Sequence, residues 1–479
     1  MRKRCVVLLG AAVALGLGFG LGFGLGACAS VHNLPLNTPT DSPLMAPSGQ
    51  AAAALAASQK AEGDGSGAAI GLAFSGGGTR AAAFAYGVLG ELVRTPAPRK
   101  GKGDLLDRVG VVSGVSGGSI IAAYYGLKGR AALTDFRQQF LTQDVMAALD
   151  TKVTLVNLGR ALGGGLNTDN RLRDWFNDHL YHHATFGALL AKPRPIVLIN
   201  ATDVYDRTPF LFVPQTFAAA CSDITKYPIA AGVAASAAVP AAFAPVIIEA
   251  FPDKCHAPLP PWIVKAANDP AASPLVHSFA KGMEQIHSGK VKYVKLFDGG
   301  LIDNYGLSGL TILRAAQDTP YGPLRPAEAV NLRRFLFLVV DAGQSPKGNW
   351  STTLEGPSGK ELVGAVVDVL VDANAHASYA AFEATMQNWR NDIVRWRCGL
   401  SGAQVARLRG GRKGRWNCRD LKITVARVSF GELGAARAKK LNQVPTSLTL
   451  PVQTVDDLTQ AGSDALKGNP AYRAFLKEM

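Results

Sequence analysis

Short apolar runs alternate with segments of helical periodicity between residues 68 and 345. Each run is short enough for one buried strand, and in the segments between the early runs apolar residues recur three or four positions apart. The predicted strands cover 68–74, 108–114, 194–203, 292–300 and 333–343, and the first predicted helices cover 79–94 and 119–129. Strands that alternate with helices predict an α/β sheet covered on both faces.

The pattern changes after residue 345. Residues 360–389 form a long periodic segment that predicts a helix. Residues 392–398 and 421–430 alternate apolar and polar positions, which predicts the two strands of a hairpin. The sequence shows no internal repeat. We therefore divide the chain into a folded region over 67–345 and a C-terminal extension over 346–479.

The N-terminus has the pattern of an export signal. Arg2, Lys3 and Arg4 precede an apolar stretch, which is typical of a secretory signal peptide. Leu-Gly-Ala-Cys at 25–28 resembles a bacterial lipobox, which implies cleavage after residue 27 and lipidation of Cys28. An ordinary signal peptide and a retained membrane anchor are the alternatives. Ala29 stands where an inner-membrane retention signal would carry Asp, so the resemblance favours the outer membrane of a Gram-negative cell.

Residues 28–66 are rich in Ala, Pro, Ser and Thr and predict a flexible tether. Export also places the cysteines in an oxidising compartment. Four cysteines remain after Cys5 and Cys28 are set aside, and closeness in sequence favours the pairs Cys221–Cys255 and Cys398–Cys418. A zinc site is the alternative, but no Cys-x-x-Cys or His-rich spacing supports it.

Positive charge is concentrated in one part of the chain. Residues 390–440 contain fourteen Lys or Arg and three acidic residues, so they carry 14 − 3 = +11 of the net +14. A basic loop in this region could rest on anionic lipid head groups. Its members are Arg407, Arg409, Arg412, Lys413, Arg415 and Trp416. A solvated loop is the alternative, and nucleic-acid binding does not suit an exported protein.

A serine lies between glycines where the second predicted strand meets a helix. Gly114-Val-Ser116-Gly-Gly118 fits the pattern G-x-S-x-G. Glycines suit a turn that is too sharp for side chains, and such a turn lifts the Ser116 hydroxyl above the sheet at a helix N-terminus. This arrangement is typical of a nucleophile elbow.

A run of three glycines follows the first predicted strand. Gly76, Gly77 and Gly78 precede Arg80 and a helix, so their backbone N–H groups could bind an anion. The anion could be a phosphate or the oxyanion formed during ester cleavage. No phosphate-binding P-loop pattern is present, so the oxyanion is the better interpretation.

A nucleophilic serine needs a base. His376 is the single histidine after residue 290, and it lies within a predicted helix. Asp298 follows an apolar strand and precedes two glycines, at the end of a strand where α/β active sites form. Partial burial would raise the pKa of Asp298 and make it a better base.

Five stretches together resemble the patatin-like phospholipases. They are F-S-G-G-G-T-R at 74–80, G-V-S-G-G-S at 114–119, N-A-T-D at 200–203, A-S-A-A-V-P-A-A-F-A-P at 235–245 and D-G-G at 298–300. The resemblance implies a three-layer α/β/α fold with a mixed, mostly parallel sheet, related to cytosolic phospholipase A2. It also implies a dyad of nucleophile Ser116 and base Asp298, without histidine, metal or organic cofactor.

The same resemblance assigns the oxyanion hole to the three glycines together with Arg80, which would either fix their loop or stabilise charge near it. The expected activity is the release of fatty acid from phospholipid or other lipid acyl esters. Two alternatives stay open, a triad-type esterase that uses His376 and a non-catalytic lipid-binding envelope lipoprotein.

Overall fold

The computed structural model describes most of the chain after residue 32. The described residues are 33–44, 67–97, 103–149, 169–192, 195–240, 242–343, 352–354, 356, 359–410 and 415–479. The predicted signal peptide, Cys28, Arg412 and Lys413 lie outside them.

The strands form one mixed sheet. They are β1 (Ala68–Phe74), β2 (Val109–Val115), β3 (Ile196–Asp203), β4 (Thr208–Leu211), β5 (Val246–Glu249), β6 (Tyr293–Asp298), β7 (Arg334–Asp341) and β8 (Lys422–Ser429). Their order is β5-β6-β3-β2-β1-β7-β8, and β4 pairs with β3. Four of the seven strand pairings are parallel. The other three are antiparallel: β3 with β4, β3 with β6, and β5 with β6. The predicted strands are confirmed within a few residues at each end.

Helices cover both faces of this sheet. They are α1 (Gly78–Arg94), α2 (Gly117–Lys128), α3 (Ala132–Phe136), α4 (Asp169–Phe176), α5 (Phe186–Leu190), α6 (Pro214–Ala219), α7 (Ile229–Ser236), α8 (Pro261–Asn268), α9 (Pro274–His287), α10 (Gly300–Asp303), α11 (Ser308–Ala315), α12 (Pro326–Asn331), α13 (Gly359–Cys398), α14 (Gly402–Leu408), α15 (Ala435–Asn442), α16 (Val452–Gly468) and α17 (Pro470–Glu478).

Two neighbouring residues of β3 show the layering. A Cβ on Gly126 of α2 would meet Val197, whereas a Cβ on Gly309 of α11 would approach Leu198. Because successive strand residues point to opposite faces, α2 and α11 cover opposite faces of the sheet. Every residue of β1 and β2 is buried, as expected for central strands between two helical layers. The expected three-layer architecture is therefore confirmed.

The predicted hairpin at 392–398 and 421–430 is wrong in its first strand. Residues 392–398 are the end of α13, a helix of 40 residues. Its buried side chains Phe382, Met386, Trp389 and Ile393 recur at helical spacing, a period that a seven-residue window is too short to reveal. The second predicted strand is β8, which pairs with β7 in the main sheet, so part of the C-terminal region lies within that sheet.

Both predicted disulfide bonds are present, Cys221–Cys255 and Cys398–Cys418, so the zinc alternative has no free thiol among these four residues. Part of the basic region has internal partners. The buried Arg397 donates to the backbone carbonyls of Leu332 and Asn417 and lies over the Trp416 ring. The Trp416 indole N–H in turn donates to the Val330 carbonyl at 3.3 Å. Arg407 and Arg415 are exposed.

The predicted flexible tether needs correction over residues 33–44, which we call the strap. Asn33 and Asn37 are buried, and Leu36 and Leu44 pack against the core. The Asn37 side chain bonds both the N–H and the carbonyl of Glu249 on the edge strand β5, at 2.9 and 2.8 Å. Buried amide side chains bound to backbone fix this segment, although its composition is that of a linker.

Among the described residues, none of the helices combines the length and the apolar character needed to cross a membrane.

Candidate active site

Ser116 lies in a strained turn between β2 and α2. Its φ of 51° and ψ of −124° are unusual for a residue with a side chain. The turn is held on both sides. The Ser116 N–H donates to the Ser236 hydroxyl at 3.0 Å, and the Ser116 carbonyl accepts from the Ser119 hydroxyl at 2.6 Å. This geometry is that of the predicted nucleophile elbow.

The glycines around Ser116 allow backbone to approach backbone. A Cβ on Gly114 would lie 2.6 Å from the Gly118 carbonyl oxygen. A Cβ on Gly117 would lie 2.0 Å from the carbonyl oxygen of Gly78. The elbow and the triple-glycine loop are therefore in direct contact, which no side chain would permit.

Asp298 lies next to the elbow. Its carboxylate lies close enough to the Ser116 hydroxyl for that group to favour the ionised form, and it accepts a hydrogen bond from the Gly300 N–H at 2.8 Å. Its backbone is also fixed, because its N–H donates to the Ala238 carbonyl and its own carbonyl accepts from the Thr202 hydroxyl, both at 2.9 Å. The structure thus brings together the two residues that the sequence analysis selected.

Burial raises the pKa of Asp298 to about 6, although the Ser116 hydroxyl and the Gly300 N–H favour the ionised form. The side chains are closed off from bulk water, since Ser116 is 7% exposed and Asp298 is 8% exposed. A carboxylate with this pKa is ionised at neutral pH and is a stronger base than an exposed aspartate.

The triple-glycine loop presents two glycine N–H groups rather than three. The Gly76 N–H, expected among the oxyanion donors, already donates to the Asn304 carbonyl at 3.0 Å. Gly77 and Gly78 begin α1, and within the described residues no carbonyl accepts from their N–H groups. Gly76 instead provides space, because a Cβ there would lie 2.3 Å from Asn304 Oδ1 and 3.4 Å from the Ser116 Cβ.

Arg80 joins the start of α1 to two distant segments of backbone. Its guanidinium donates to the carbonyls of Ala342 and Val444 at 2.8 and 2.7 Å. Burial lowers the pKa of Arg80 to about 10, while Asp341 and Asp368 oppose that shift. Because its guanidinium is bound to these two carbonyls, Arg80 acts on the site by positioning the start of α1, which follows the glycine loop.

A comparison of sequence families agrees with this geometry. The sequence model of the family described as patatin-like phospholipase matches residues 72–311, which is half of the chain. The chain belongs to the patatin-like phospholipase family. The matched region includes Ser116, Asp298 and the triple-glycine loop.

One solved structure similar to this patatin-like chain is human GIVD cytosolic phospholipase A2. The identity is 12% and the TM-score is 0.40, over 90% of this chain and 66% of that one. The chain thus spans just under two thirds of that protein. No curated protein matches significantly.

The C-terminal region contributes to the site of this patatin-like chain, which the sequence analysis missed. The Ser447 carbonyl accepts from the Thr79 N–H at 2.8 Å and would lie 2.3 Å from a Cβ on Gly78. Nothing in the local sequence around 444–447 indicates this role. Ser236 was also missed as a support of the elbow, although it belongs to a stretch that resembles the family.

His376 is exposed to solvent, whereas Asp298 is buried. His376 lies on α13, and the nearby Asp372 is its charged neighbour one turn earlier on the same helix. The Ser116 hydroxyl lies beside Asp298, whose ionised form it favours.

Proposed function

We propose that this protein is a lipid acyl hydrolase that uses a Ser–Asp dyad. The observation that carries the proposal is the closeness of Ser116, at a strained elbow, to Asp298. Ser236 joins the two, because its hydroxyl accepts from the Ser116 N–H at 3.0 Å and its carbonyl accepts from the N–H of Gly299, the residue after Asp298, at 3.3 Å. Membership of the patatin-like phospholipase family supports a lipid ester as the substrate. The head group and the acyl position are outside the proposal.

The reaction proceeds in two acyl-transfer steps. The Ser116 oxygen attacks the ester carbonyl while its proton passes to Asp298, and the carbonyl oxygen becomes an oxyanion. The C–O bond to the alcohol then breaks, and the alcohol leaves with the proton from Asp298. Water next attacks the acyl-serine and gives a proton to Asp298. Fatty acid is released when the bond to Ser116 breaks and the serine oxygen regains that proton.

The oxyanion is stabilised by backbone N–H groups at two helix N-termini. Gly77 and Gly78 supply donors at the start of α1, and Gly117 supplies one at the start of α2. Because the two turns touch, these donors converge near Ser116. Losing one such donor typically lowers kcat by about 10²–10³.

The proposal includes attachment to a membrane through an acylated Cys28 in the envelope of a Gram-negative cell, with the outer membrane as the favoured location. A lipobox-like stretch at 25–28 supports it. The exposed Arg407 and Arg415 remain available for anionic head groups.

The test is a comparison of Ser116→Ala with Ser288→Ala, a matched change at an exposed serine. We expect Ser116→Ala to abolish release of fatty acid from phospholipid vesicles and hydrolysis of a short-chain ester, with unchanged circular dichroism. Ser288→Ala should keep full activity. Retained hydrolysis in Ser116→Ala would refute the dyad.

Two further measurements separate the alternatives. His376→Ala should keep nearly full activity, whereas a triad that uses His376 would lose it. A fluorophosphonate probe should label the wild-type protein and leave Ser116→Ala unlabelled. Absence of labelling in the wild-type protein would favour a non-catalytic lipid-binding lipoprotein.

A further inference from the structure

The strap fixes the point at which the N-terminal chain meets the fold. The Asn33 side chain donates to the carbonyls of Ala244 and Pro245 at 3.2 and 2.8 Å. Asn33 is 6% exposed, so these bonds are sheltered from water. The first residue of the strap is therefore held against the segment that leads into β5.

That attachment point is close to the dyad. Pro245 precedes Val246, which is paired with Leu296, two residues before Asp298 on β6. Cys28 is five residues before Asn33, and five extended residues span at most about 18 Å. An acyl group on Cys28 would thus enter a bilayer within about 18 Å of Asn33, where the strap meets the fold.

A second feature, helix α13, begins its contact with the sheet domain beside Asp298. Helix α13 is attached to α10, which begins two residues after Asp298. Asn374 donates to the Leu301 carbonyl at 3.1 Å, and the Ser378 hydroxyl donates to Asp303 at 3.0 Å. The fifteen helical residues before Asn374 extend about 22 Å from this attachment.

The part of α13 before Asn374 carries an exposed apolar stripe. Leu362 and Val366 are each 51% exposed, Val369 is 66% exposed and Leu370 is 57% exposed. Their spacing of i, i+4, i+7 and i+8 places them on one face of the helix. Four large exposed apolar side chains aligned on one face of a helix are typical of an interaction surface.

We propose that this α13 stripe lies in the interface of the bilayer that holds the acylated N-terminus, so that the protein acts on the membrane to which it is attached. The inference rests on the proposed lipid substrate and on the proposed acylation of Cys28. The strap and α13 both attach next to the β6–α10 segment that contains Asp298. A bilayer that reaches the attachment of the strap is therefore close to the attachment of α13, and an exposed apolar helix face can bind at the headgroup boundary.

Vesicle binding tests this surface directly. The full chain is prepared with Cys28→Ala, so that an acyl group does not dominate binding to phosphatidylethanolamine–phosphatidylglycerol vesicles. We expect the added pair Val369→Glu and Leu370→Glu to lower partitioning at least tenfold. Val452→Glu is the matched control, because Val452 is 50% exposed at the first residue of α16, and it should change partitioning less than twofold.

A paired variant that binds vesicles as well as its parent overturns the proposal, and a protein partner on the stripe would give that result. In the acylated chain, the pair Val369→Glu and Leu370→Glu should lower fatty-acid release from vesicles about tenfold and leave hydrolysis of a soluble short-chain ester unchanged. Equal vesicle hydrolysis would also refute it. If Ser116→Ala instead retains ester hydrolysis, the proposed function fails while the binding result stands.

Discussion

The buried charge of Asp298 should lower the free energy of unfolding of the protein. The variant Asp298→Asn tests this prediction. Burial raises the pKa of the Asp298 carboxyl from 3.8 to about 6. Between these two values the native state binds more protons than the unfolded chain, so the stability contributed by this group falls as pH rises from about 4 to about 6. A shift of 2.2 pKa units at 1.36 kcal/mol each gives a cost of about 3 kcal/mol above pH 6.

Asparagine has nearly the same shape and carries no charge. Its carbonyl oxygen can still accept from the Gly300 N–H, the bond that Asp298 makes at 2.8 Å. We therefore expect Asp298→Asn to raise the free energy of unfolding by about 1–3 kcal/mol at pH 8. The gain should shrink towards zero near pH 4, where the native carboxyl is already protonated. Catalysis should be lost, because asparagine cannot accept the serine proton.

Urea unfolding of the full chain, followed by circular dichroism at pH 4.5 and pH 8, measures the difference. Asp253→Asn, at an exposed residue, is the matched control and should change neither value by more than about 0.5 kcal/mol. A variant at Asp298 that is less stable than the wild type at pH 8, or equally altered at both pH values, would show that burial of this charge is not costly.

Two substitutions and one pH profile test the residues around Ser116 and Asp298. Ser236→Ala removes the acceptor of the Ser116 N–H, and should lower kcat at least tenfold with little change in KM on a soluble ester; unchanged kcat contradicts a positioning role. Gly117→Ala would place a Cβ 2.0 Å from the Gly78 carbonyl oxygen, so the midpoint of urea unfolding should fall and hydrolysis should be lost, whereas normal stability would mean that the turns are not in contact. For the wild type, kcat/KM should fall tenfold per pH unit below about pH 6, as the pKa of Asp298 requires, and a break near pH 4 would contradict its burial.

The sequence alone located most of the catalytic constellation because local rules govern it. A serine between glycines at a strand–helix junction has few other conformations, and the apolar runs that became β1, β2 and β7 are buried on both faces wherever they pair. Proximity along the chain also sufficed for both disulfide bonds.

The C-terminal region was harder to predict because its structure depends on distant partners. Taken alone, residues 392–398 have the alternating apolar and polar pattern of a strand. They are nevertheless the end of a helix, whose apolar periodicity is visible only over several turns. The strap has the composition of a linker, and two asparagines hold it through bonds to backbone more than two hundred residues away.

Within the sequence, spacing determined which residue types could act as nucleophile, base and oxyanion donors. Tertiary structure decided which of them lie together and which of their polar groups already have partners. It assigned the Gly76 N–H to Asn304, placed the Ser447 carbonyl against the glycine loop and removed Asp298 from water. Hydrogen bonding and desolvation depend on groups far apart in the chain, so neither the free N–H groups nor the raised pKa of Asp298 follows from local pattern.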